Sequence, residues 1–293
     1  MNKNQDSENS AFRGADGNNT GKACHNSYNT GKACHKSRHL EHRGIMSSTI
    51  QKAVSIFFAI VLWHIISVAV GMDMLLASPV KVAVRLCTIW LEDGFFKTII
   101  FSLLRISSGC IIAIITGIIL AVFASRFHII EILLWPYVIT IKSVPVASFI
   151  ILCLIWLSFT QLTVFIAFLI VFPVVYSNIL TGIKSTDKKL LEMASSFKIP
   201  WWRKFIFIYL PSIKPYLISA SSIAMGMAWK AGTAAEVIGV VKGSIGEKLY
   251  ESKIYFANAD LFAWTIIIVI LSVALEKILI HLIKLFFSRI EKI

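Results

Sequence analysis

The amino-acid sequence predicts an all-α integral membrane protein with about six transmembrane helices. Hydrophobic residues make up 57% of the 293 positions, and charged residues make up only 15%. Soluble globular domains carry roughly 25% charged residues, because a water-facing surface needs them. The apolar residues also come in blocks of about 20, the length that an α-helix needs to cross a bilayer. These observations favour a bilayer protein over a soluble domain with a large core.

The apolar blocks are predicted to be helices rather than strands of a barrel. Closed β-barrels also satisfy the backbone in lipid, but their strands alternate polar and apolar residues, which these blocks do not. The third block is short, and the apolar run 129–141 before it is expected to lie near the inner membrane face or to extend the third helix. The predicted spans are 52–71, 98–123, 143–158, 162–181, 216–240 and 260–283.

The distribution of basic residues predicts the orientation. Of the 29 Lys and Arg residues, 21 lie in segments on the side of the N-terminus and six in segments on the other side. Cytoplasmic loops collect Lys and Arg, so both ends are predicted to be cytoplasmic in a multi-pass protein of the cell membrane. The same bias explains the net charge of +13, so no nucleic-acid partner is predicted.

Residues 1–46 are predicted to form a disordered polar tail ahead of a membrane domain, 47–293. The tail contains a tandem repeat with a ten-residue period, at 19–25 and 29–35, and it has too few apolar residues to offset the entropy of ordering. One alternative is that Met46 is the natural start. Another is metal binding, but adjacent Cys-His pairs ten residues apart fit no usual zinc spacing, so no metal site is predicted. The metal-ligand candidates are Cys24, His25, Cys34, His35, His39 and His42.

The longest cytoplasmic loop, 182–215, is predicted to contain a short amphipathic helix. Thr186 or Asp187 can cap its start, and Pro200 prevents its continuation. Such a helix either lies in the membrane interface or places its apolar face in a groove of a partner. The apolar face consists of Leu190, Leu191, Met193, Ala194 and Phe197.

The same loop resembles the cytoplasmic signature of bacterial ABC importer permeases. That signature is Glu-Ala-Ala, three residues, Gly, nine residues, and Ile-x-Leu-Pro; here the spacing is intact. Glycine suits a tight helix exit, so Lys198 in its place, with Pro200 nearby, suggests a different turn. Met193 is the other departure. The corresponding residues are Glu192-Met193-Ala194, Lys198 and Ile208-Tyr209-Leu210-Pro211.

Further segments extend the resemblance over residues 75–283. Three of them are similar to the family's short Pro-containing entry after the first helix, to the start of its second helix and to its third helix. A fourth resembles the fifth helix of the nitrate, sulfonate and taurine subfamily. The segments are Ala77-Ser78-Pro79, 102–109, Lys142-Ser143-Val144-Pro145, and Ala228-Trp229-Lys230 with Ala234-Ala235-Glu236.

This resemblance implies the type I (MetI-like) ABC importer permease architecture. It implies a pore formed by a homodimer of permease subunits, with two cytoplasmic ATPases on the 182–215 loops and an extracytoplasmic solute-binding protein. ATP and Mg would bind the ATPases, with no cofactor on this chain, and the solute would be a small organic or inorganic anion. The implied ATPase-coupling residues are Glu192, Met193, Ala194, Phe197, Lys198, Ile208, Leu210 and Pro211.

The chain is predicted to have no ATPase site and no enzymatic activity of its own. Its Gly21-Lys22 has Asp16 where a phosphate loop needs its first glycine, and Ala23 where it needs Ser or Thr. A membrane enzyme would need a catalytic cluster of Asp, Glu, His or Ser, and none is evident. The alternative function is a secondary transporter, which would need matching interrupted helices in two halves.

Three ionisable residues within the predicted helices are candidates for the translocation path. They are Arg105, Lys230 and Glu236, and charges within a bilayer usually face a cavity or a partner. Similar predicted depth suggests that Arg105 pairs with Glu236; the alternative is a purely structural role or side chains that reach the interface. Trp201 and Trp202 are interpreted as anchors at the inner membrane face rather than as ATPase contacts.

Overall fold

The computed structural model describes residues 30–72 and 75–290, and within them the side chains other than those of 30–49, 201, 202 and 290. The chain divides into two compact units, Met1–Leu62 and Trp63–Ile293. All regular elements in the described residues are helical. They are α1 (Thr30–Val70), α2 (Pro79–Thr88), α3 (Phe95–Arg126), α4 (His128–Ser143), α5 (Val146–Cys153), α6 (Phe159–Lys184), α7 (Lys188–Ser196), α8 (Trp201–Lys204), α9 (Leu210–Ile238), α10 (Ile245–Ile254) and α11 (Asn258–Ile290), with a 3₁₀ turn at Ile89–Leu91 and a π-turn at Phe205–Tyr209.

Five of the six predicted spans are confirmed as helices that are long and apolar enough to cross a membrane. They are longer than predicted, because helices continue past the hydrocarbon core into polar ends. The five are Ile50–Val70, Phe95–Arg126, Phe159–Lys184, Phe205–Ile238 and Asn258–Arg289.

The predicted third span, 143–158, is wrong as a single helix. The structure has α4 and α5 instead, joined at a bend of 104°. Val144 is extended, at φ −81° and ψ 134°, because the ring of Pro145 disfavours a helical conformation for the residue before it. Consequently Lys142, which the charge count assigned to a cytoplasmic segment, lies at the far end of a helix that begins at His128.

The helix α1 begins at Thr30, whereas the composition predicted no regular element before residue 47. A helix satisfies its own backbone hydrogen bonds, so a polar composition does not prevent one. Residues 1–29 lie outside the described residues, and so do the side chains of all six candidate metal ligands in the tail. Disorder of residues 1–29 stays a prediction.

The helices α3, α6 and α9 form the centre of the bundle, and glycines let them approach closely. A methyl group at Gly117 of α3 would lie 3.1 Å from Val175 of α6, and one at Gly232 of α9 would lie 2.7 Å from Ile106 of α3. Small residues at such crossings are typical of membrane helices, which associate through close packing.

Two short helices pack against the long ones. Helix α2 packs against α11, and α10 packs against both α9 and α11. Ser78 caps α2, with its hydroxyl accepting from the backbone N–H of Lys81 at 3.4 Å, and Pro79 occupies the first turn. Arg85 joins α2 to Asp260 of α11 and forms an ion pair with Glu92 at 2.5 Å.

Candidate functional site

The loop between α6 and α9 contains α7, which is the predicted amphipathic helix. The Asp187 carboxylate caps it by accepting from the backbone N–H of Lys189 at 2.9 Å, in agreement with the sequence. The predicted apolar face is divided into two parts. Ala194 is fully buried and Leu191 is half-buried. Leu190, Met193 and Phe197 are exposed, and we call these three residues the apolar ridge.

The exit from α7 has the tight geometry that the sequence did not predict for Lys198. Its φ is 51°, in the left-handed region that favours glycine. The backbone N–H of Lys198 donates to Ser195 at 2.9 Å, and that of Ile199 donates to Ala194 at 3.0 Å. These two bonds are the pair that defines a Schellman turn. The expectation of a different turn is therefore wrong: the lysine adopts the conformation of the glycine.

The chain returns from the loop to the bundle through α8 and the π-turn. Leu210 donates its backbone N–H to the carbonyl of Phe205, five residues earlier. Pro211 follows directly and has no N–H of its own to continue the helical pattern. Leu210 is half-buried, whereas Pro211 is exposed. A cleft of about 470 Å³ beside this segment is lined by residues from Phe197 to Ile208.

Glu236 is fully buried at the end of α9, where it binds the start of α10. Its Oε2 accepts from the hydroxyl of Ser102 at 2.8 Å and from the backbone N–H of Gly246 at 3.3 Å. The Ser102 hydroxyl accepts in turn from the backbone N–H of Ile245 at 2.9 Å. The side chain accepts at the start of a helix, where the first N–H groups lack intrahelical partners and carry partial positive charge.

Arg105 and Glu236 do not form the predicted direct ion pair, although the two charges lie close enough to interact electrostatically. Within the described residues no ion pair joins them, and the Glu236 Oε1 and the Arg105 Nη1 are both buried without hydrogen-bond partners. The Arg105 guanidinium lies over the ring of Phe101, with its carbon 3.7 Å from the ring centre. Lys230, on α9, is exposed, and within the described residues it forms no ion pair with Glu236.

The sequence did not predict the roles of Ser102 and Gly246, which together with Glu236 attach the start of α10 to the bundle. Ser244 and Glu247 did indicate where α10 begins. The Ser244 hydroxyl accepts from the N–H of Glu247 at 3.1 Å, and the Glu247 carboxylate accepts from the N–H of Gly243 at 2.5 Å. This Ser-x-x-Glu pattern predicts a helix start directly after α9. Pairing of Lys248 with Glu251 raises the pKa of Lys248, which keeps this side chain charged.

Comparison with known proteins gives a family match. A family model described as "binding-protein-dependent transport system inner membrane component" matches residues 113–292. A crystal structure of an amino acid ABC transporter with histidines has a TM-score of 0.54 at 19% identity, covering 70% of this chain and 97% of that chain. This likeness confirms the predicted fold.

Three relatives have names that match the predicted subfamily. A putative aliphatic sulfonates transport permease of Bacillus subtilis is 25% identical over 71% of this chain and 76% of its own length. The taurine transport system permease of Escherichia coli is 23% identical over 82% of this chain and 90% of its own. A nitrate import permease of Synechococcus elongatus is 27% identical over 75% and 81%, respectively. Since the family model covers more than half of the chain and the fold agrees, the protein belongs to the family of binding-protein-dependent transport system inner membrane components.

Proposed function

We propose that this chain is the transmembrane permease subunit of an ATP-driven importer, and that it couples ATP hydrolysis by a cytoplasmic partner ATPase to the passage of a small anionic solute. The observation that carries the proposal is the apolar ridge on α7. Its residues Leu190, Met193 and Phe197 are exposed by 43%, 51% and 74%, although α7 lies outside the candidate spans. An amphipathic helix with one uncovered apolar side fits a hydrophobic groove of a partner protein.

The remainder of the loop supports a mechanical role for α7. Ala194 is buried on one side of α7, and the Schellman turn at Lys198 closes the end of the helix. The π-turn then leads directly into α9. A displacement of α7 by an ATPase would therefore pass to α9 through a short, hydrogen-bonded connection and would not be absorbed by a flexible loop.

We assign the α7 loop and both chain ends to the cytoplasm. The support is the excess of 21 over six Lys and Arg residues on that side. The helices α2 and α10 then lie on the outer side, where an extracytoplasmic binding protein delivers solute.

The proposed solute is a small anion, and the proposed pore is formed by two copies of this chain. The relatives named for sulfonates, taurine and nitrate handle solutes that share an oxyanion group. Arg105 and Lys230 lie in candidate spans, and neither forms an ion pair with a carboxylate among the described residues. Cations in this setting suit an anion that passes between helices. ATP and Mg would stay on the partner ATPases, and membrane lipid would cover the exposed apolar sides of the spans.

The test is co-purification of the full-length chain with its cognate ATPase. Met193→Asp together with Phe197→Asp should abolish both co-purification and the stimulation of ATP hydrolysis by the loaded binding protein, because two carboxylates would have to enter an apolar groove.

The matched control is Ser195→Asp, which adds a carboxylate to an exposed position on the other side of α7. This variant should retain the ATPase. Undiminished ATPase binding by the double ridge variant would contradict the proposal.

A further inference from the structure

A cavity of about 320 Å³ lies between α4 and α6, beside the bend between α4 and α5. We call it the α4–α6 cavity. Its volume is at the lower end of the range for small-molecule sites, roughly 300–1,000 Å³. Its polar lining consists of Glu131, Lys142, Tyr176, Ser177, Thr181 and Lys184.

Lys142 brings a positive charge to this cavity, at the end of α4. It is an exposed residue in the last turn of α4, and its ammonium donates to the hydroxyl of Ser177 at 2.8 Å. At about 1.5 Å per residue it lies about 16 Å along α4 from Glu131. With α4 taken as the first part of a broken span, this length is about half the ~30 Å thickness of a hydrocarbon core.

The other charges of the cavity neutralise each other at its far end. Lys184 forms an ion pair with Glu131 at 2.5 Å, and His128 lies 3.4 Å from the same carboxylate. Within the described residues no carboxylate pairs with Lys142. An ammonium has three N–H donors, and the hydroxyl of Ser177 uses only one of them.

Tyr176 adds a second unused donor. Its side chain is 4% exposed, and its hydroxyl is buried without a hydrogen-bond partner. The neighbouring hydroxyls are occupied, because Ser177 donates to the carbonyl of Pro173 at 2.7 Å and Thr181 donates to that of Ser177 at 2.8 Å. Buried polar groups are almost always hydrogen-bonded, and Tyr176 lines the cavity, so its hydroxyl is a donor without a partner next to the cavity.

We propose that Lys142 and Tyr176 bind the oxyanion group of the transported solute, a sulfonate, nitrate or carboxylate, so that the α4–α6 cavity is an anion subsite on the translocation path. The assignment to the path depends on the function proposed above. The C-terminal carbonyls of α4 also stabilise the ammonium of Lys142, but they leave the hydroxyl of Tyr176 unpaired. An oxyanion would accept from both the ammonium and the hydroxyl. A bend in the middle of a span is also where transporters place ion and substrate sites.

The experiment measures the charge preference of the cavity in the purified full-length chain. Thr181→Cys places a thiol in the cavity wall one helical turn from Ser177, in a background with Cys24 and Cys34 replaced by serine. Its rate of modification is compared for two methanethiosulfonate reagents, one with a sulfonate group and one with a trimethylammonium group. The ratio of the two rates should fall about tenfold in Lys142→Gln, since one nearby unit charge acts in opposite senses on the two reagents. Lys142→Arg should keep the ratio.

The exposed native thiol of Cys87, on α2, is the internal control, and its ratio should not change. Methanesulfonate and nitrate at millimolar concentration should slow the modification at 181 in the parent. Tyr176→Phe should reduce this protection about threefold while leaving the charge preference intact.

An equal ratio in the parent and in Lys142→Gln would overturn the proposal, and so would a thiol at 181 that neither reagent reaches. Elution volume and thermal unfolding show whether each variant is folded, and Lys142→Arg tests the charge if Lys142→Gln is not. The measurement needs no ATPase. A failure of ATPase docking on α7 would therefore leave this result unchanged, and the two proposals can fail separately.

Discussion

The short helices α7 and α10 are built by the same local rules but differ in what covers them. Each starts at a side-chain cap, Asp187 for α7 and Ser244 for α10. Each ends in a Schellman turn whose left-handed residue is not glycine, Lys198 at φ 51° and Phe256 at φ 54°. Caps and exits therefore explain why both helices form, and they do not explain what either helix does.

The difference lies in the surroundings of the two helices. The first residues of α10 are buried, and its N–H groups bind Ser102 and Glu236 from two spans. In contrast, α7 buries Ala194 and leaves the apolar ridge exposed. The comparison shows that α10 is part of the folded bundle, whereas the proposed function assigns the exposed side of α7 to a partner. Substitutions in α10 should consequently affect stability, and those on the ridge should affect assembly.

The largest effect is expected for the carboxylate that binds α10. Glu236→Ala should lower the free energy of unfolding by about 3 kcal/mol, because it leaves a buried hydroxyl and a buried backbone N–H unpaired. Glu236→Gln keeps an acceptor of similar shape and should lose about 1 kcal/mol. Unfolding in detergent, followed by circular dichroism, measures both. Equal losses for the two variants would show that the hydrogen bonds contribute little.

The close contact of α10 with α9 should give the next largest effect. A methyl group at Gly246 would lie 2.5 Å from the carbonyl carbon of Glu236 and 2.6 Å from the backbone nitrogen of Val237. Gly246→Ala should therefore destabilise the protein by about 2 kcal/mol. The control is Gly226→Ala within α9, where no atom lies within 4 Å of the added methyl group. We expect it to be neutral or slightly stabilising, and similar melting temperatures for the two variants would contradict the close packing.

The smallest effect is expected at the exit from α7. Lys198→Gly should raise the free energy of unfolding by about 1 kcal/mol, because glycine adopts a positive φ without the steric penalty of a Cβ. Lys198→Ala removes the same charge but keeps the Cβ, so it should bring no gain. Thermal unfolding of the two variants separates backbone strain from charge. A gain in the alanine variant equal to that of glycine would assign the effect to the charge.

The sequence was sufficient to predict most of the helices and the position of α7. Long apolar blocks define five spans directly, and the spacing between Glu192 and Pro211 located the loop. The third span failed because hydropathy averages over a window and takes no account of a break within it. The Val144–Pro145 pair does predict the break, because a proline disfavours a helical conformation for the residue before it.

The pairing of buried charges was not predictable in the same way. A similar depth for Arg105 and Glu236 does not decide where their side chains point, and the direction of a side chain depends on the neighbouring helices. The carboxylate instead meets Ser102 and the start of α10. The turn at Lys198 was also missed, since residue preference favours glycine there, whereas the two backbone hydrogen bonds to Ala194 and Ser195 impose the left-handed conformation.

The π-turn at Phe205–Tyr209 makes the connection between α7 and α9 sensitive to insertions and deletions. A π-turn holds one residue more than an α-helical turn. Deleting one residue there would restore a regular helix, shift the preceding chain by about 1.5 Å, and rotate it by about 100° around the axis of α9. Surface loops ordinarily tolerate changes in length. In this loop the number of residues between Phe197 and Pro211 sets the direction in which the ridge faces, so length variants should accumulate elsewhere in the chain.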